Sequence, residues 1–254
     1  VITTTTDKDA TTGIYGGRVV FFDGTANTGY NWATTASGSS PYTLSALGTY
    51  TTLPTSAGSS TVNYKMTAAT TLAGSFPVNT LKLEAPAGDL ALGANTLTIE
   101  GGGLRMTGTT SRNITNTAGA TGLAGSASGD LIVHQFNSGG LTISAVIGDN
   151  GGATALTKAG TGTLTLSGIN TYTGNTTVDA GTLQFNAATA IGGIGGRDVT
   201  VANGGTVSAG YAINNAFLNR LAENNNTFNI GAVVASANDL DLSSSTGANL
   251  PNVT

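Results

Sequence analysis

Short alternating apolar pairs, separated by turns that contain glycine or asparagine, constrain the fold of this 254-residue chain most strongly. Between residues 78 and 108 the pairs are Leu81/Leu83, Leu90/Leu92, Leu97/Ile99 and Leu104/Met106. Alternation with a period of two places both members of a pair on one face of a strand. Because the turns are too short for crossover helices, successive strands are expected to stack or coil.

The same alternation resumes further along the chain and continues to about residue 209. The later pairs are Leu131/Val133, Leu141/Ile143, Leu164/Leu166, Leu183/Phe185 and Val199/Val201, followed by Val207. Weak repetition of a strand and a turn predicts an all-β protein, a β-solenoid with turns of about 20 to 25 residues. With turns about 4.8 Å apart, the rod would be about 50 Å long.

An immunoglobulin-like sandwich is the competing fold. Three features count against it: one tryptophan, Trp32, no cysteine pair, and too many very short strands for sandwich domains. Absence of cysteine also removes disulfides and thiolate nucleophiles. The sequence therefore favours the solenoid.

The low content of charged residues excludes several functional classes. Asp, Glu, Lys and Arg make up 9% of the chain, against about 25% in ordinary soluble domains. A formal net charge of -4 is unsuited to a phosphate backbone, so no nucleic-acid partner is expected. No apolar stretch approaches the roughly 18 residues of a transmembrane segment. With 39% hydrophobic residues, the chain still has enough apolar material for a core.

We divide the chain into three regions: 1–77, rich in Thr and Gly and a candidate junction with another copy; 78–209, the solenoid body; and 210–254. In the first region, the run from Val19 to Phe22 predicts a buried strand. In the last, Ile213, Phe217 and Leu221 recur at helical spacing and predict a short amphipathic helix near residues 211–224, followed by strands at 228–234 and 240–242. This helix would cover apolar surface of the solenoid or, alternatively, dock a partner.

Residues 156–185, LTKAGTGTLTLSGINTYTGNTTVDAGTLQF, closely resemble the autotransporter-associated β-strand repeat of large bacterial surface and secreted proteins. Looser resemblance extends to 95–108, 129–152 and pieces near the C-terminus. It implies a right-handed β-helix, located at the bacterial cell surface or outside the cell, and usually without enzymatic activity. Within the repeat, Leu164 and Leu166 would point into the core, Thr163 and Thr165 would face water, and Tyr172 would brace a corner.

Candidate catalytic and metal-binding residues are few. His134 is the only histidine, and no serine stands on a nucleophile elbow. Glu84 and Glu100 could lie on neighbouring strands as paired carboxylates, although solubility of an edge strand explains them as well. We expect no enzyme and no cofactor. Calcium stays open at 192–198, where a glycine-rich turn leads to Asp198 one position late for a β-roll ligand.

Two functions fit these observations. The first is structural: a surface stalk or filament, assembled end to end through copies of itself or adjacent repeats of one longer polypeptide, because open solenoid ends are unpaired sheet edges. The candidate assembly ends are Val1, Ile2, Leu250 and Val253.

The second function is adhesion to carbohydrate or a host surface through aromatic side chains in the first fifty residues. The candidate contacts are Tyr30, Trp32 and Tyr42, and a place in the core is the alternative for each. A third class, a lyase or hydrolase of polysaccharides on a β-helix, suffers from the shortage of positioned acids and bases.

Overall fold

A computed structural model describes residues 3–4, 8–24, 29–35, 40–84, 88–117, 119–193, 198–202, 204–211, 217 and 219–221. Within these residues the protein is all-β apart from a 3-10 turn at Ala188–Ala190 and the helical residue Phe217. Two parts follow one another along the chain: an antiparallel N-terminal sheet and a parallel β-solenoid. The expectation of a β-solenoid is confirmed, while its hand stays a prediction.

The N-terminal sheet has four strands in the order β1-β4-β3-β2. They are β1 (Thr3–Thr4), β2 (Val20–Phe22), β3 (Tyr30–Thr35) and β4 (Tyr42–Ala46). All its pairings are antiparallel. The predicted strand at Val19 to Phe22 is present, but its predicted burial is wrong: Val19 is 38% and Phe22 47% exposed. This strand lies at an edge of the sheet, so solvent reaches it.

The solenoid consists of two parallel sheets. The larger sheet contains β5 (Thr51–Thr52), β6 (Asn63–Met66), β8 (Phe76–Leu83), β10 (Leu97–Met106), β12 (Thr121–Ala124), β13 (Asp130–Gln135), β15 (Val146–Gly148), β16 (Ala155–Ala159), β18 (Thr176–Val178) and β20 (Val199–Val201). The smaller sheet contains β7 (Thr70–Thr71), β9 (Leu90–Ala91), β11 (Arg112–Thr115), β14 (Leu141–Ile143), β17 (Thr163–Leu166), β19 (Gly181–Phe185) and β21 (Gly205–Ala209). Parallel strands begin at Thr51, inside the region 1–77.

Strand register defines the length of each turn. Leu81 pairs with Leu104, 23 residues later, and Leu104 pairs with Val133, 29 residues later. Leu164 pairs with Leu183 after 19 residues. Parallel pairing between successive turns excludes the immunoglobulin-like sandwich, whose sheets are antiparallel.

The described stack is shorter than the sequence estimate. Seven strands of the smaller sheet define about six turns, so the described solenoid is about 30 Å long rather than about 50 Å. The difference arises partly because the first fifty residues form a separate sheet instead of turns.

The interior of the solenoid is filled by the alternating apolar pairs, as predicted. Both members of the pairs from Leu81/Leu83 to Leu183/Phe185 are buried, whereas Thr163 and Thr165 are partly exposed. Each turn thus buries its leucine, isoleucine and valine side chains against those of the next turn.

The N-terminal sheet docks on the flank of the solenoid at a glycine corner, where β10 bends at residues 101–103. Gly102 has a positive φ of 76°. A Cβ atom on Gly103 would lie 2.6 Å from the Trp32 ring and 2.7 Å from the Cα atom of Gly17. The Gly17 amide donates a hydrogen bond to the Gly101 carbonyl at 3.0 Å. The corner therefore needs glycine because another backbone and a ring approach it closely.

The predicted helix at 211–224 lies largely outside the described residues, and the strands predicted at 228–234 and 240–242 lie entirely outside them. Two of its apolar residues are described. Phe217 is buried edge-on against Phe185, with ring centroids 6.5 Å apart, and Leu221 is buried and bridges to Val199 of β20. In the part of the chain that the structure describes, no helix has the length and apolarity to cross a bilayer.

Candidate functional site

Four basic side chains form a row on the outer face of the larger sheet, which we call the basic ladder: Lys65, Lys82, Arg105 and His134. Each pairs with the next on the neighbouring strand. Three of the nine lysines and arginines of the chain thus lie on successive rungs. Like charges directly opposite one another destabilise a sheet, so the ladder requires neighbours that offset its charge.

One carboxylate contacts the first two rungs. Glu84 lies with Oε1 2.7 Å from Lys82 Nζ and with Oε2 3.6 Å from Lys65 Nζ. Lys82 Nζ also stands 5.0 Å from the centroid of the Tyr50 ring, a favourable cation–π contact. Burial alone would raise the pKa of Glu84, but the two lysines lower it below its usual value.

The N-terminal sheet covers the centre of the ladder. Trp32 is fully buried, with its ring 5.7 Å from Arg105 Cζ and edge-on to His134 at 5.5 Å. Asn31 Oδ1 accepts hydrogen bonds from Lys82 Nζ at 3.1 Å and Arg105 Nη2 at 3.4 Å. Nε and Nη1 of Arg105 are buried without a hydrogen bond in the described structure. The cover thus consists of rings and an amide rather than carboxylates.

Burial lowers the pKa values of the covered groups. It lowers the pKa of Arg105 to about 10 and the pKa of His134 to about 4. The hydrogen bond between His134 Nε2 and the Gly17 carbonyl, 2.8 Å long, opposes the second shift, while the charges of Arg105, Lys158 and Arg18 add to it. His134 is therefore neutral at pH 7, so the ladder carries three positive charges rather than four.

The structure separates the three aromatic residues predicted to contact a ligand. Trp32 takes the alternative place in the core, so that its predicted role as an exposed contact is wrong in this conformation. Tyr30 is half-buried and stacks between Phe22, at 4.4 Å, and Phe136, at 3.6 Å between ring centroids. Tyr42 is half-buried on β4 and joins no ring contact of the described structure. The roles of Tyr30 and Tyr42 stay predictions.

Phe22, Tyr30 and Phe136 form an aromatic stack that joins the N-terminal sheet to the solenoid. Sequence reasoning missed Phe136, which carries no local signal, and placed Phe22 in the core.

Sequence reasoning also missed the basic ladder, for which a local signal existed. Each basic residue stands between two inward-facing residues, in Tyr64-Lys65-Met66, Leu81-Lys82-Leu83, Leu104-Arg105-Met106 and Val133-His134-Gln135.

The repeat at 156–185 forms β16 to β19 and the corners between them. Tyr172 is buried, donates to or accepts from Thr176 Oγ1 at 2.7 Å, and leaves no room for a side chain at Gly192. Burial raises the pKa of Tyr172 to about 12. The predicted bracing role of this ring is confirmed.

Lys158 is an unexpected cation in the solenoid interior, in line with Val133 and Val178 on the neighbouring strands. Its Nζ donates to three carbonyls, those of Ala159 at 3.1 Å, Gly160 at 2.7 Å and Ala180 at 2.9 Å. Burial lowers the pKa of Lys158 to about 7, and the three carbonyls oppose that shift because they favour the ammonium form. The side chain ties the corners of two successive turns together.

The carboxylates considered for catalysis are not paired. Glu84 follows Leu83, whereas Glu100 lies at the bend after Ile99, which pairs with Val78 at the other end of β8. The histidine considered for a triad is the buried His134 of the ladder.

The turn considered for calcium at 192–198 is described only in part. Both carboxylate oxygens of Asp198 bind Arg220, at 2.7 and 2.6 Å, and residues 194–197 lie outside the described structure. Among the described residues, His, Asp and Glu side chains form no group of three that could hold a metal ion. The assembly ends Val1, Ile2, Leu250 and Val253 also lie outside the described residues. Both hypotheses stay predictions.

Comparison with known proteins places these features in context. Residues 156–185 match the family described as passenger-associated-transport-repeat. The chain is 43% identical over 99 residues to the adhesin BmaC autotransporter of Brucella suis biovar 1 (strain 1330), a match that covers 38% of the chain and 3% of that relative. No solved structure matches the chain. The resemblance to autotransporter-associated repeats is therefore confirmed, while the chain spans a small fraction of the curated relative.

Proposed function

We propose that this chain is a structural segment of a bacterial protein exposed at the cell surface or released from it. Its role is to supply length and stiffness, as part of a stalk or filament, without catalysis. The observation that carries the proposal is the continuous parallel pairing of about six turns, which hydrogen-bonds the backbone from one turn to the next. The repeat at 156–185 and the similarity to an adhesin autotransporter support it.

Resistance to proteolysis suits such a role. The chain has nine lysines and arginines in 254 residues. Lys82, Arg105, Arg112 and Lys158 are buried. Trypsin-like proteases therefore find few accessible sites, while surface threonine and asparagine keep the rod soluble without charge.

The stalk would grow by end-to-end contacts, with other copies or with adjacent repeats of one polypeptide as partners. An open solenoid end exposes strand edges, and a head-to-tail contact between edges generates an open filament. The proposed contacts are Val1 and Ile2, which precede the N-terminal sheet, and Leu250 and Val253 near the C-terminus. The first turn of the described solenoid has β5 and β7 as its edge strands.

Electron microscopy and sedimentation velocity test this proposal. The purified chain is expected to form rods that lengthen with concentration, and deletion of residues 1–6 or 250–254 is expected to leave single rods. Thr165→Ala, which lies on the outer face of β17, is the control and should assemble normally. Unchanged assembly after both deletions would contradict these junctions, and turnover of an acidic polysaccharide would contradict a purely structural role.

A second candidate function, adhesion to surface carbohydrate, is favoured by the exposed edge of the aromatic stack. Phe22 is 47% exposed and stacked on Tyr30, which gives a flat surface for a sugar ring. On a glycan array, Phe22→Ala and Tyr42→Ala are expected to reduce binding, and Val19→Ala, also exposed but not aromatic, is expected to keep it. Absence of binding to any glycan or host surface would contradict adhesion.

A further inference from the structure

A cleft of about 480 Å³ lies along the corner that follows the smaller sheet. It spans three turns and is lined by residues that include Asn116, Ser144, Val146, Ser167, Ile169 and Thr171. Its volume falls within the range of about 300 to 1,000 Å³ that is usual for ligand sites. The cleft is separate from both the basic ladder and the aromatic stack.

Among the described residues, the lining of the cleft combines aliphatic and hydroxyl groups and contains no charged side chain. Ile169 is 66% exposed, the largest exposure among the large apolar residues that the structure describes. The hydroxyls of Ser167 and Thr171 make no hydrogen bond within the described part of the chain, and Ser144 Oγ makes one long bond of 3.4 Å to the Ile114 carbonyl. The cleft therefore suits an uncharged ligand that has both hydroxyls and an apolar face.

Backbone amides in the cleft already donate hydrogen bonds within the solenoid. The amides of Ser144, Ser167 and Thr171 donate to carbonyls of the preceding turn at 2.9, 3.0 and 2.8 Å. A peptide strand that adds to a sheet needs unpaired backbone groups, and here the unpaired groups belong to side chains. This favours a sugar chain over a peptide.

Two turns present the same groups at the same offset. Ile143 pairs with Leu166; each is followed directly by a serine, and three positions later by Val146 or Ile169. Successive turns are about 4.8 Å apart, close to the rise per residue of an extended β-linked hexose chain. Successive sugar residues would thus meet one serine and one aliphatic side chain each.

We propose that this cleft binds an extended, neutral oligosaccharide that lies parallel to the solenoid axis. The proposal rests on the second proposed function, carbohydrate binding, and adds a neutral ligand class and a contact site distinct from the aromatic stack. Ile169 packs against the apolar face of one sugar residue, and Ser144, Ser167 and Thr171 bind hydroxyls.

Titration with cellohexaose, followed by calorimetry and by amide chemical shifts, tests the proposal. We expect shifts at residues 144–146 and 167–171, and no competition from an oligogalacturonate hexamer. The double substitution of Ile169→Ala and Ser167→Ala is expected to raise the Kd at least about tenfold, and Phe22→Ala is expected to leave it unchanged. Because Ile169 is exposed and Ser167 makes no side-chain hydrogen bond, the double variant should fold; circular dichroism checks this.

Three outcomes would overturn the proposal of a neutral oligosaccharide in this cleft. The first is binding that Phe22→Ala abolishes and the double variant preserves, which would leave adhesion through the aromatic stack intact. The second is equal affinity for oligogalacturonate. The third is the absence of cellohexaose binding at millimolar concentration, while the glycan array separately decides whether the chain binds carbohydrate at all.

Discussion

The N-terminal sheet and the solenoid are both built from short strands, but they are held together by different forces. In the solenoid, strands are parallel and bury apolar columns such as Leu81, Leu104 and Val133. The N-terminal sheet is antiparallel, exposes Phe22, and is fastened to the flank through Trp32. The solenoid depends on repeated apolar burial, whereas docking of the N-terminal sheet depends on a few aromatic, polar and charged contacts.

This difference teaches that the solenoid provides most of the stability, whereas sensitivity to pH and salt is concentrated where the N-terminal sheet docks. Apolar burial responds weakly to pH, although the described solenoid also buries two cations in its turns, Lys158 and Arg112. Docking of the N-terminal sheet places a titratable ring, a buried guanidinium and a tight glycine contact at one interface. We therefore expect the sheet to detach under conditions that leave the solenoid folded.

The largest expected effect comes from the solenoid interior. Leu164→Ala removes a fully buried side chain between Leu141 and Leu183 on the adjacent turns. It is expected to lower the free energy of unfolding by about 2–5 kcal/mol, because a cavity remains. Urea unfolding followed by far-ultraviolet circular dichroism measures this, with the outward-facing Thr165→Ala as control. A loss of unfolding free energy below about 1 kcal/mol would show that the apolar columns do not dominate the stability of the solenoid.

Acid should weaken docking of the N-terminal sheet. Burial lowers the pKa of His134 from its ordinary value of 6.5 to about 4, so the docked state binds fewer protons between these values. The contribution of this group to stability is complete above pH 6.5 and is lost as pH falls through 4. Undocking releases at most about 3 kcal/mol of it, because Arg105 and Lys158 stay beside His134 on the solenoid. Trp32, the only tryptophan, reports undocking by its fluorescence.

His134→Gln provides the matched control for this acid transition. Its side-chain amide can still donate to the Gly17 carbonyl but does not titrate, so the fluorescence transition between pH 6.5 and 4 should disappear. The dichroism of the solenoid should stay constant over the same range in both proteins. A transition that persists in the glutamine variant would assign the acid sensitivity to another group.

The glycine corner offers a steric test of the same interface. Gly103→Ala places a methyl group 2.6 Å from the Trp32 ring and is expected to weaken docking by about 1–3 kcal/mol. Limited proteolysis of the first fifty residues and Trp32 emission measure the loss. Gly48→Ala is the control, because a Cβ atom there meets nothing within 4 Å. Equal behaviour of the two variants would mean that the corner tolerates a side chain.

The smallest effect is expected from the ion pair between Arg18 and Asp130, whose nitrogen and oxygen lie 2.8 Å apart. The Arg18 side chain is largely exposed, so Arg18→Ala should weaken docking by less than about 1 kcal/mol. The difference from the unmodified chain should vanish in about 0.5 M salt because of screening. A loss of docking free energy above about 2 kcal/mol, independent of salt, would make this ion pair one of the main contacts that hold the N-terminal sheet on the solenoid.

Most of the solenoid could be predicted because its signal is local. The alternation of Leu164 with Leu166, or Leu104 with Met106, assigns residues to the interior from a few neighbours in sequence, and the short turns predicted strands that stack or coil. The same alternation applies to Lys158, two positions after the buried Leu156, although charged side chains are rarely buried. Its three carbonyl partners, one of them from the next turn, make that position tenable.

By itself, the sequence determined which residues alternate, where glycine permits a corner, and that charge is too sparse for nucleic-acid binding. Only the tertiary structure decided that Trp32 is buried, that the basic ladder has an aromatic cover, and that an uncharged cleft opens beside Ile169. The physical reason is distance along the chain. Periodicity is a property of adjacent residues, whereas contacts such as that of Tyr30 with Phe136 depend on which surfaces meet after the turns have stacked.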